Sequence, residues 1–110
     1  MAYDIELAER IRAVVQGEPG LSEMRMFGGL AFLIDGNMAV SASGQGGLLL
    51  RIDPAEGASL VSEPHVGLFE MRGRAMTGWL RVDAAVVETD DDLRRWVGRG
   101  VAYARSLRPK

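Results

Sequence analysis

The chain has no cysteine, one histidine and one lysine. Without cysteine there is no disulfide, no thiolate nucleophile and no thiolate metal site; that is compatible with the cytoplasm, the location expected here. The single histidine, His65, excludes metal sites built on two or three histidines. Lysine makes up one of thirteen basic residues, a bias that a GC-rich genome produces as readily as selection for guanidinium chemistry, so it carries no functional weight. No apolar run approaches the roughly 18 residues needed to span a bilayer. The N-terminus, Met-Ala-Tyr-Asp-Ile-Glu, is acidic where a secretory signal is basic. A surplus of positive charge is missing too. Thirteen basic against fifteen acidic residues leave a net charge of −2, which exerts no global pull on nucleic acid. The distribution is less even: Arg94, Arg95, Arg99, Arg105, Arg108 and Lys110 close the chain with no acid among them after Arg94.

What is present is the material of an ordinary globular domain. The 110 residues, 47% apolar and 25% charged, suit one domain over 1–110 that buries roughly two-thirds of its unfolded surface. Residues 26–38 are the most informative stretch. A glycine pair, Gly28-Gly29, opens the apolar run Leu30–Ile34, and Asp35-Gly36-Asn37 leads into a second run from Met38. Asp-Gly between apolar runs signals a hairpin, because both central turn residues need positive φ.

Tyr3, Leu7, Ile11 and Val14 recur at helical spacing with Glu6, Glu9 and Arg12 opposite, which predicts an amphipathic helix over 4–16 capped by Asp4. Gly17-Glu18-Pro19-Gly20 stops it. Strands are expected at 24–27, 30–34, 38–42 and 48–52. Asp53-Pro54-Ala55-Glu56 starts a short helix that ends before Pro64. Two more strands, 69–72 and 78–82, meet around Gly73-Arg74. Thr89 and the acids Asp90-Asp91-Asp92 open a last helix with Leu93, Trp96, Val97, Val101, Ala104 and Leu107 on one face and arginines opposite. Short connections favour antiparallel neighbours. The expected class is α+β: two layers, a mainly antiparallel sheet of about five strands with helices on one face, in the order α-β(3-4)-α-β(2)-α.

Each chemical motif has a plainer reading beside it. Gly28-Gly29 lacks the further glycines and following helix of a phosphate loop, and reads as a tight backbone approach at a strand start. Gly44-Gln45-Gly46-Gly47 reads as a hairpin loop. His65 has no serine or carboxylate placed by sequence to make it a general base, and Pro64 before it suggests a turn. Asp90-Asp91-Asp92 is better explained by helix capping than by cation binding, since calcium loops space their ligands alternately around a glycine. Arg51, Arg72, Arg74 and Arg81 are more suggestive. If their strands adjoin, they gather on the uncovered sheet face as an anion or acidic-partner site; the plainer reading is a solvated face with Glu70 and Asp83 as cross-strand partners. Phe27, Trp79 and Trp96 are expected in the core.

Several segments, in order, resemble the TfoX/Sxy N-terminal domain family: Met26-Phe27-Gly28-Gly29 with Asp35-Gly36-Asn37-Met38, then Leu49 to Asp53, Pro64-His65, Phe69 to Met76 with Gly78-Trp79, Thr89 through Trp96 and the ending from Ala104. The resemblance implies a small α+β fold of the secretion-chaperone-like kind, whose members commonly dimerise. It also implies a link to bacterial transcription or competence regulation. Longer relatives regulate natural competence with the cyclic-AMP receptor protein and carry a helical C-terminal domain, for which 110 residues leave no room. Three functions follow as expectations. The first is a non-enzymatic regulatory module working through protein contacts, with an unknown protein partner or as a homodimer. The second is a direct nucleic-acid binder using the basic last helix, disfavoured by the acidic total. The third is a small anionic-ligand binder using the sheet arginines. No residue is assigned a catalytic, cofactor or metal role.

Overall fold

A computed structural model describes residues 3–26, 28–71 and 73–109. Helix α1 (Ile5–Val15) precedes strands β1 (Leu21–Met26), β2 (Gly29–Ile34), β3 (Asn37–Ala42) and β4 (Leu48–Arg51). Helix α2 (Pro54–Leu60), strands β5 (Val66–Met71) and β6 (Arg74–Val82), a 3₁₀ turn (Ala84–Val87) and helix α3 (Asp90–Ser106) follow. The strands form one antiparallel sheet in the order β1-β2-β3-β4-β6-β5, so β1 and β5 are its edges. This is the expected α+β fold, with six strands rather than about five.

Local chemistry sets the element ends. Asp4 accepts a hydrogen bond from the Leu7 N–H at 3.1 Å, Asp53 from Ala55 at 2.9 Å and Thr89 from Asp92 at 3.1 Å, each satisfying a donor that the first helical turn leaves unpaired. Asp35 and Gly36 take φ of 52° and 86°, the double positive value that a two-residue hairpin turn requires. The turn joins β2 to β3 as expected.

Two expected strands start late relative to the structure. β1 begins at Leu21 rather than Met24, and β5 at Val66 rather than Phe69. Both are edge strands; in β1 exposed polar positions blur the alternation that marks a strand, and in β5 Gly67 interrupts the apolar pattern. β6 begins at Arg74, four residues before the expected Gly78. Gly78 carries a φ of +86° and breaks the strand's pattern in the middle.

All helices pack on one face. Leu7, Ile11 and Val15 of α1, Val87 of the 3₁₀ turn, and Leu93, Trp96 and Val97 of α3 join Leu30, Phe32, Val40, Leu48, Leu50, Leu80 and Val82 from the sheet in the main core. Gly100 lets α3 approach the Ala39 carbonyl in β3 and the Leu50 side chain. Trp96 is buried in this core as expected. No helix among the described residues is long and apolar enough to cross a membrane.

Candidate functional site

Side chains alternate along a strand, and directly opposed residues of neighbouring strands share a face. These two rules define the side of the sheet away from the helices. Ala31, Leu33, Met38, Leu49 and Phe69 cluster there, with Met26, Met76 and Trp79 packed against them. No helical residue belongs to this cluster. Met24 pairs with Ala31 in the β1–β2 ladder and so extends the same face to the sheet's edge. Its side chain is 53% exposed, one of two large apolar side chains left in water among the described residues. Met24, Met26, Met38 and Met76 therefore lie on one helix-free face. Methionine is flexible and polarisable, and it recurs on surfaces that accept apolar partners of varied shape.

The centre of this face is apolar. By the same two rules Arg51, opposite Trp79, Arg81, opposite Leu49, and Arg74, two residues before Met76, stand on this side at its margins. The Arg51 guanidinium sits 5.4 Å from the Trp79 ring centre and 5.8 Å from that of Tyr103, a stacking position on two aromatic rings. Arg74 lies at the tip end of β6 and Arg81 near its other end, separated by roughly 20 Å at the usual rise of a strand. Arg72 falls outside the described residues, as does Phe27. Neither Glu70 nor Asp83 pairs with these arginines among the described residues: Glu70 lies opposite Ala75, and Asp83 faces His65. Trp79 is half-buried on the second face, not in the main core.

Arg81 also lines an open cleft of about 380 Å³ with Gln45, Gly46, His65, Gly67 and Asp83. His65 has a φ of 63°, a conformation in which histidine is enriched among non-glycine residues. Its carbonyl accepts from the Asp83 N–H at 3.0 Å, and its Nδ1 is 3.8 Å from Asp83 Oδ2. These contacts fit the turn read from the sequence. No hydroxyl among the described residues bonds to the imidazole, so no nucleophile is paired with it.

The glycine motifs take their structural roles. Gly28 has a φ of +77°, and a side chain on Gly29 would run into the Ala42 carbonyl. Gly46 and Gly47 take φ of +92° and +71° in the β3–β4 loop, and a side chain on Gly47 would strike the Val82 carbonyl. Gly73, at +78°, turns β5 into β6. Asp90, Asp91 and Asp92 fill the first turn of α3.

That acidic turn also bears on the basic last helix. Asp91 pairs with Arg94 at 3.6 Å and Asp92 with Arg95 at 2.6 Å. Arg105 bonds Glu18 at 2.6 Å, and Arg99 stacks on Trp96 at 4.5 Å. Four arginines of α3 are thus engaged within the chain.

At the sheet's edge, β1 carries four consecutive exposed residues, Ser22 to Arg25. Glu23 is fixed from the helix side: Arg12 Nε donates to Oε2 at 2.8 Å and Nη2 to Oε1 at 3.0 Å. The hydrogen bond from Arg12 holds the Glu23 carboxyl below its usual range, and the same bond raises the Arg12 guanidinium. Glu9 meets Arg12 from the other side. Arg25 has no ion pair among the described residues. The edge and the methionine face escaped the sequence reading because the methionines at 24, 26, 38 and 76 are scattered over three strands. Only the pairing register brings them together.

The family model of the TfoX N-terminal domain matches residues 14–104, most of the chain. No curated protein matches it.

Proposed function

The chain belongs to the TfoX N-terminal domain family, and on that premise we propose that it is a non-enzymatic regulatory module that acts through protein contacts made by its sheet. The observation that carries this reading is the helix-free face with Met24, Met26, Met38 and Met76 around Leu33, Leu49, Phe69 and Trp79. The centre of this face is buried, and its open part is the rim, where Met24 is exposed and Met26, Met76 and Trp79 are half-buried; a protein surface laid against that rim takes these apolar side chains out of water. The internal pairing of the α3 arginines supports a protein partner over nucleic acid, because a cation already matched to a carboxylate releases fewer counterions on meeting phosphate. A link to transcription or competence regulation follows the family's longer members.

Photo-methionine tests the reading by turning the face itself into the probe. The chain is produced in its own cells with photo-methionine and irradiated, and the cross-linked peptides are mapped. Adducts to another polypeptide chain through Met24, Met26 or Met76 are expected. Cross-links confined to the chain itself would overturn the reading.

A further inference from the structure

We propose that β1 pairs edge to edge with β1 of a second copy of this chain, with Met24 on the two-fold axis. The inference rests on the reading of the domain as a protein-contact module and names one partner for it. Among the described residues, the outer side of β1 has no neighbouring strand. The strand is six residues long, pairs with β2 without a register shift, and contains no proline or lysine. Proline, lysine and a bulge are devices by which natural sheets blunt a free edge, and β1 lacks these three; the charges it does carry, Glu23 and Arg25, are of opposite sign.

Two identical edges meeting antiparallel around a two-fold axis form a self-complementary contact. In such a pair, directly opposed residues point to the same face, so the axis must pass through a residue and not between two. Three residues lie near the strand's centre. An axis at Glu23 sets Glu23 against its own copy, and an axis at Arg25 sets Arg25 against its own copy. Both place like charges in contact. An axis at Met24 sets Glu23 against the partner's Arg25 and Arg25 against the partner's Glu23. It also sets Met24 against the partner's Met24 and Ser22 against the partner's Met26.

The charges of the strand therefore select one register. On the helix side of each half, Glu9, Arg12, Glu23 and the partner's Arg25 alternate in sign, and the cation left unpaired in one copy is matched. On the other side, the exposed Met24 is covered by its own copy. The two methionine faces become one surface of twelve strands, six from each chain.

The cysteine-free sequence makes the register readable by single cysteines. Opposed residues in an antiparallel pair have Cα atoms about 4.5–5.5 Å apart, within the span that a disulfide accepts. Met24→Cys is expected to form a covalent dimer on mild oxidation. Ser22→Cys and Met26→Cys are expected to stay monomeric alone on a non-reducing gel and to cross-link when mixed. Arg25→Glu, a change at a side chain with no ion pair among the described residues, is expected to weaken dimerisation at least tenfold with the circular dichroism and melting curve of its monomer retained. A wild-type dimer in which Met24→Cys fails to cross-link, or Ser22→Cys cross-links alone as readily, overturns the edge pairing and leaves the contact-module reading standing. A wild-type chain that is monomeric at every concentration also overturns the edge pairing, while the methionine cross-links judge the broader reading separately.

Discussion

Arg12 of α1 grips Glu23 of β1 through both carboxylate oxygens, at 2.8 and 3.0 Å. A planar guanidinium donating two parallel bonds is the geometry in which arginine cannot be replaced by lysine without loss. The pair ties the first helix to the edge strand. It also orients the one acidic side chain that the edge presents.

The first prediction is a pH dependence. The hydrogen bond from Arg12 lowers the Glu23 carboxyl in the folded chain below its ordinary value of 4.5. A carboxyl depressed on folding contributes stability above its unfolded pKa, and that contribution is lost as pH falls through the folded pKa. Arg12→Gln should therefore melt below the wild type at neutral pH, by a small margin because the pair is largely exposed. The gap should close as the solution is acidified well below pH 4.5. A gap of constant size would assign the loss to the packing of Arg12 over the Phe32 ring, 6.0 Å away.

The second prediction compares two glycines of α3. A side chain on Gly100 would meet the Ala39 carbonyl and the Leu50 Cδ1, whereas one on Gly98 would meet nothing within 4 Å. Alanine is better than glycine within a helix by up to about 1 kcal/mol, so Gly98→Ala should stabilise the fold by about that amount. At Gly100 the obstacle is backbone and cannot swing aside. Gly100→Ala should destabilise by about 1–3 kcal/mol, the usual cost of overpacking. Urea denaturation of the two variants measures both. Equal effects would mean that α3 is not seated on β3 through this contact.

The third prediction concerns the basic end of the chain. With Arg94, Arg95 and Arg105 paired to acids and Arg99 stacked on Trp96, a mobility-shift titration at low salt should give no complex with duplex DNA. A complex that weakens steeply as salt rises would show that phosphates outcompete these internal partners.

Much of the fold was legible because its signals are local. The Asp35-Gly36 turn, the caps at Asp4, Asp53 and Thr89, and the apolar stripe of α3 each depend on residues near one another in sequence. The resemblance carried by Gly28-Gly29 and the later motifs led to the family that the family model matches. The edge strand was harder to read, because Ser22, Glu23 and Arg25 are exposed and show no alternation of burial. The apolar centre of the candidate surface was not legible. Charged residues on strands usually mark a water-facing side, and Arg51, Arg74 and Arg81 suggested one. Yet Arg51 is drawn onto Trp79 and Tyr103, and the face between the arginines is filled by residues from β2, β3, β4 and β5. That arrangement depends on the crossover that places β6 beside β4, which no local pattern states.

The most direct measurement is light scattering behind a sizing column, on the purified wild-type chain at two concentrations. The account predicts a particle of twice the 11.9 kDa chain mass, persisting at the higher concentration and dissociating in Arg25→Glu. A particle of one chain mass at both concentrations would contradict the self-pairing of β1 at the centre of the account.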